Sequence, residues 1–182
     1  MEGRGRVTPW WHGFGPVRLG LPPLVMARAA LGAALGLLVA DLVLWALGSG
    51  GALVTTTALI APFGATAFLI FAVPTSPLAQ PWPVVVGNSV SALAALAVLQ
   101  LGLPLLPALC LSVLLAMLAM ALTRSLHPPG GAVAIATGLL ATPVPPLSFA
   151  LLTVGAGSLA LVLTAILWHR ATGLPYPYRP AP

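Results

Sequence analysis

Charge is what this chain most lacks. Of 182 residues, seven are basic and two acidic, or 5% charged against roughly 25% in soluble domains. Between Arg28 and Arg124 the only formal charge is Asp41, and none lies between Arg124 and Arg170. A water-soluble fold of this length could not cover its surface with so little polarity. Cys110 is the single cysteine, so neither a disulfide framework nor a cysteine metal cluster is available. The acids are Glu2 and Asp41 and the histidines are His12, His127 and His169. These are too few and too scattered for a metal site, a cofactor site or an acid–base pair, and no phosphate-cradling Gly-rich Lys motif accompanies them. The chain is therefore not expected to be an enzyme. Nor do the arginines alternate with aromatics as a nucleic-acid footprint would.

Long apolar runs are what it has. Hydrophobic residues make up 59% and the mean hydropathy is +1.07, the composition of a multi-pass helical membrane protein. Runs at about 29–47, 52–73, 84–101, 105–122 and 147–168 each approach the roughly 20 residues that cross a hydrocarbon core. No convincing cleavage site follows the first, which is expected to remain as an anchor. A sixth run, 131–141, is short. Arg4, Arg6, Arg18 and Arg28 precede the first run, and Arg170 and Arg179 follow the last. This distribution predicts both termini in the cytoplasm, in a cell inner membrane. Two inside termini need an even number of crossings, so 126–143 either crosses as a broken segment or re-enters; the arginines favour crossing. Residues 1–24 read as an interfacial head with Trp10 and Trp11, and 171–182 as a proline-rich tail.

The most unusual stretch is Arg124-Ser-Leu-His127-Pro128-Pro129-Gly130-Gly131-Ala132, where prolines remove donors and glycines free the backbone between apolar runs. Irregular backbone at membrane depth survives only where protein covers it or a wet cavity meets it. An echo lies 67 residues earlier: Pro62-Phe63-Gly64-Ala65-Thr66-Ala67 matches Pro129 to Ala134, while Thr75 meets Thr142 and Ser91 meets Ser158. The echo suggests two units, about 25–102 and 104–170, related by an inverted two-fold axis, an arrangement in which transporters site their substrates at broken helices. Helices starting at Gly64 and Gly131 would aim free N–H groups at a small anion. Alternatively, the Pro-x-Gly motifs only kink the spans and let them pack.

These residues resemble a known family. His127-Pro128-Pro129-Gly130-Gly131-Ala132, with Pro62-Phe63-Gly64-Ala65 and Ser76-Pro77-Leu78-Ala79-Gln80-Pro81, is similar to the HPP family of small integral membrane proteins over roughly 25–170. The resemblance implies four spanning helices plus less regular segments, and a permease function, since members from photosynthetic organisms are associated with nitrite transport. The chain also departs from the pattern. Where the family commonly has Arg-Asn and then Gly-Gly-His before Ser-Ala, Trp82, Pro83, Gly87, Asn88 and Ser89 stand before Ser91-Ala92. An arginine and a histidine able to attract an anion are missing.

His127 could gate, sense protons or donate to an anion, or merely cap the broken backbone. Asp41, costly inside a span, should face protein or water, protonated, paired with Arg124 or His127, or coupling protons. Arg124 could draw anions to the motif but also fits an anchor, as Arg28 does. Asn88, Ser89, Ser91 and Thr66, with Thr55, Thr56 and Thr57, could line a polar path or act as interhelical glue. Gly32 and Gly36 read as a close helix contact, within the chain or between copies. The expectation is an all-α polytopic bundle of five to six membrane segments, a permease or channel for a small anionic solute. Its candidate substrate site comprises His127, Pro129, Gly130, Gly131, Pro62, Gly64, Thr66, Asn88 and Ser91, with Asp41 and Arg124 coupling or gating. Partners are the lipid bilayer, a small anion and a second copy of the chain. The rival is a non-transporting scaffold or sensor subunit.

Overall fold

The computed structural model describes residues 22–48, 53–140 and 143–178; for 53–57 it describes the backbone alone. Six helices follow in order: α1 (Pro23–Ala46), α2 (Leu53–Ala72), α3 (Pro81–Leu99), α4 (Leu105–Leu122), α5 (Pro129–Leu139) and α6, whose π-helical start Phe149–Gly155 runs into Ala156–Thr172. α1, α3, α4 and α6 are each long and apolar enough to cross a membrane. Proline opens α1, α3 and α5 in the first turn, where its missing N–H is one that no helix would pair. Gly173, at φ 74°, closes α6, with Leu174 N–H donating back to His169 O, the left-handed cap that glycine adopts at no steric cost.

Because leucines such as Leu31, Leu38, Leu118 and Leu163 face outward, apolar surface drives insertion, and small residues set the packing within. Gly32 and Gly36 of α1 receive Phe71 of α2, and Gly157 of α6 receives Phe63. The α1 glycine pair therefore serves contacts inside the chain.

Polar cross-links fix which helix ends share a face. The Arg28 guanidinium donates to Thr172 O at 2.7 Å, joining the start of α1 to the end of α6. Trp82 Nε1–H donates to Thr123 O at 3.1 Å, joining the start of α3 to the end of α4. His169 Nε2–H donates to Ile70 O at 2.9 Å, joining α6 to α2. That carbonyl has no helical donor because residue 74 is proline. At the opposite end, Pro145, Pro146 and Leu147 line a cavity with Leu96 and Gln100 of α3. α5 alone spans only about 16 Å at 1.5 Å per residue. With the stretch after it, the chain passes from the face holding His127 to the face holding Gln100. α5 thus leads from one face of the bundle toward the other, and α1 begins on the face where α6 ends.

The main contacts join α1 to α2 and α6, α4 to α5 and α3, α2 to α5 and α6, and α3 to α5 and α6. Exchanging α1 with α4, α2 with α5 and α3 with α6 maps this set onto itself, with every exchanged pair running in opposite directions. One expectation fails. α2 continues through Pro62, since a single lost backbone bond is tolerated in a packed membrane helix, so no helix begins at Gly64. Residues 1–21 of the head, residues 49–52, Thr142 and residues 179–182 lie outside the described residues, and the last two residues assigned to the head begin α1.

Candidate functional site

The α4–α5 connector turns sharply because Arg124 adopts φ 52° and Ser125 N–H reaches back to Met120 O. The turn tucks His127 inward until none of its surface is exposed, and it leaves the side chain of Arg124 outside. Nδ1 of His127 lies 2.8 Å from Leu78 O. A carbonyl only accepts, so Nδ1 carries the hydrogen, and the neutral ring presents a bare Nε2. Thr66 of α2 sits 3.0 Å from that nitrogen and donates its hydroxyl hydrogen to it. Asn88 of α3 donates its amide to Thr66 Oγ1 at 3.4 Å and to Ser158 Oγ of α6 at 3.0 Å. Thr66, Asn88 and Ser158 are all fully buried.

The result is a polar spine through the bundle, drawn from α2, α3, α6 and the connector. Its hydrogens run one way, from Asn88 through Thr66 to His127 and out to Leu78. Thr66 and Asn88 lie about 10 Å below the face, at 1.5 Å of rise per residue. The amide oxygen Oδ1 of Asn88 is buried with no partner, a state that ordinarily costs about 1–3 kcal/mol.

Tight backbone approach holds the spine. A Cβ on Gly87 would strike Ser125 O and lie 3.0 Å from His127 Cβ; one on Gly130 would lie 2.6 Å from Ser91 Oγ. The loop Pro74–Gln80 closes the site at the face and is held on both sides. Inside, Leu78 accepts from His127. Outside, Tyr176 Oη–H donates to Ala79 O at 2.9 Å and Tyr178 N–H to Gln80 Oε1 at 2.8 Å, while Gln80 Nε2 donates to Pro74 O and Ser76 O. Burial pushes the Tyr176 hydroxyl well above its ordinary pKa, so it stays a donor.

Of the residues singled out from sequence, His127, Thr66 and Asn88 come together. Pro129, Pro62 and Gly130 are buried around them. Ser91 and Ser89 spend their hydroxyls on Gly87 O and Val85 O of their own helix. Gly64 and Gly131 do not form a pair of anion-binding helix ends. α2 is continuous at Gly64, and in the first turn of α5 Gly130 N–H and Gly131 N–H already donate to His127 O and Pro128 O. Neither glycine is closely packed, since a Cβ there meets nothing within 4 Å. Asp41 pairs with neither Arg124 nor His127. It is exposed on α1 beside a cavity of about 280 Å³ lined by Leu37, Leu44, Leu59 and Phe63, toward the end of the bundle opposite the connector. The side chains of Thr55, Thr56 and Thr57 lie outside the description. Ser158, Gly87 and the Leu78 carbonyl had no role assigned, although Ser158 matched Ser91 at the offset of 67, Leu78 lay in the Ser76–Pro81 motif and Gly87 lay where the chain departs from the family's pattern.

These features define a multi-pass helical membrane protein with a buried, uncharged polar spine. The chain belongs to the HPP family: the model of its transmembrane region matches residues 20–177. It is 38% identical over 117 residues to a transmembrane protein of Dictyostelium discoideum, covering 62% of this chain and 38% of that one. A second Dictyostelium transmembrane protein is 42% identical over 81 residues, covering 42% of this chain and 28% of that one. The chain thus spans well under half the length of these relatives. No solved structure matches it.

Proposed function

We propose that this protein is a permease for a small anion of the nitrite kind, and not an enzyme. The observation that carries this reading is the spine itself: His127, Thr66, Asn88 and Ser158 meet at full burial, with one amide oxygen unpartnered. A bundle that only needed shape has no use for a buried amide oxygen left without a partner, which ordinarily costs about 1–3 kcal/mol. Hydroxyl and amide side chains without a fixed charge can turn donors toward a weakly hydrated monovalent anion and bind it loosely enough to let it leave. The opposite directions of the exchanged helices support an inverted repeat, α1–α3 with α4–α6, whose centre holds Thr66 and Asn88. The orientation that fits the arginines puts both termini and His127 at the cytoplasmic face of the inner membrane.

Tight packing at Gly87 and Gly130 also suits a scaffold or sensor subunit. The deciding experiment is uptake of nitrite, nitrate and formate into proteoliposomes carrying the full chain, set against protein-free vesicles. Protein-dependent uptake reduced at least tenfold by Asn88→Leu supports the permease. Uptake no faster than in empty vesicles for all three ions would favour the scaffold.

A further inference from the structure

The hydrogen-bond polarity of the spine points to a proton–anion switch, and we propose that His127 and Asn88 bind a proton and a monovalent oxyanion together. This rests on the permease reading and adds how the anion's charge is balanced. The described buried polar residues carry no fixed positive charge: they are serines, threonines, Asn88, His127 and His169. Of the elements packed on His127, α2, α3, α4 and α5 bring no acid or base toward it; Arg124, three residues earlier in the connector, is exposed. Only His127 can become a cation at the spine, by taking a proton.

A proton arriving from water at the loop face must go to Nε2, because Nδ1–H is already bonded to Leu78 O. Nε2–H then donates to Thr66 Oγ1, and the threonine hydroxyl, having lost its acceptor, must donate elsewhere. Asn88, whose Nδ2 stands 3.4 Å from Thr66 Oγ1, can supply that acceptor. Rotating that amide by half a turn brings Oδ1 to face Thr66 and Ser158, where it accepts from both hydroxyls. The same rotation carries the NH₂ to the position now held by the unpartnered Oδ1. An orphaned acceptor thereby becomes a pair of unpaired donors, which an oxyanion can accept from. The anion's charge is balanced by the imidazolium three hydrogen bonds away, through Asn88 and Thr66. Without the proton, the same position presents an oxygen and repels the anion.

Two measurements on the full reconstituted chain test this. In proteoliposomes with the membrane potential clamped, nitrite entry should acidify the lumen by one proton per anion above the protein-free background, and nitrate, which has no permeant acid form, should do the same. His127→Gln should cut uptake at least tenfold and abolish its dependence on external pH. In bicelles, ¹⁵N-histidine spectra of the wild type should show His127 as the Nδ1–H tautomer, and added nitrate should raise its proton affinity, as reciprocal linkage requires. Asn88→Ser should leave the tautomer in place and remove the nitrate effect. Protein-dependent anion uptake that carries net charge without protons, or a His127 titration indifferent to nitrate, would overturn the switch and leave the permease reading standing. Absence of uptake for every anion would overturn both.

Discussion

Two adjacent glycines in the first turn of α5 should respond oppositely to the same substitution. At Gly130 an added methyl would lie 2.6 Å from Ser91 Oγ, 3.0 Å from Met120 Sδ and 3.3 Å from Gly87 O; at Gly131 it would meet nothing within 4 Å. Gly130→Ala must therefore displace α5 from α3 or turn Ser91 away from Gly87 O, an overpacking that costs about 1–3 kcal/mol. Gly131→Ala meets no resistance and gains helix propensity of at most about 1 kcal/mol, less in a first turn. Gly87→Ala should be the most damaging, because it strikes the Ser125 carbonyl, and backbone yields less readily than a thioether or hydroxyl. A chain of this size shifts by roughly 2–4 °C in apparent melting temperature per kcal/mol. Tryptophan-fluorescence melts in detergent should thus order the variants Gly131→Ala, at or just above wild type, then Gly130→Ala, several degrees below, then Gly87→Ala. If Gly131→Ala fell as far as Gly130→Ala, or Gly87→Ala melted with the wild type, the packing argument would be wrong.

Tyr176→Phe removes the bond to Ala79 O and should cost about 0.5–1.5 kcal/mol, read as faster amide exchange confined to 74–80. His169→Phe leaves the Ile70 carbonyl buried without a donor, a loss of about 1–3 kcal/mol; a melting temperature equal to wild type would show that water replaces the ring. Arg124→Gln should leave nitrite uptake within twofold of wild type, since the side chain is exposed; a tenfold fall would place it at the site mouth. Reporter fusions after Arg18 and Tyr178 should both give cytoplasmic signals, and a periplasmic signal from either would reject the six-crossing orientation.

Composition and apolar periodicity made the bundle legible, because lipid imposes one solution on a chain with so little charge. The connector was legible as a site for the same reason: Pro128, Pro129, Gly130 and Gly131 break a helix where a break is expensive. The site's inner partners were harder to read. Proline at position 62 resembles proline at 129, yet neighbouring helices absorb its missing bond, so one site opens a helix and the other lies inside one. Asp41 looked like a partner for His127 because acids inside spans are rare, but the direction of α1 carries it to the other end. Leu78 contributes a main-chain carbonyl, which no side-chain pattern announces, and Ser158 lies 70 residues from the Asn88 it meets.

The bonds from Tyr176 and Tyr178 to the loop at 79 and 80 join residues 97 and 98 positions apart. All six described helices therefore precede, in order of synthesis, the strap that secures this loop. Until then the loop has its own internal bonds and the contact of Leu78 O with His127, but no fastening on its outer side. A chain truncated just short of Tyr176 would keep all six described helices and an unfastened loop.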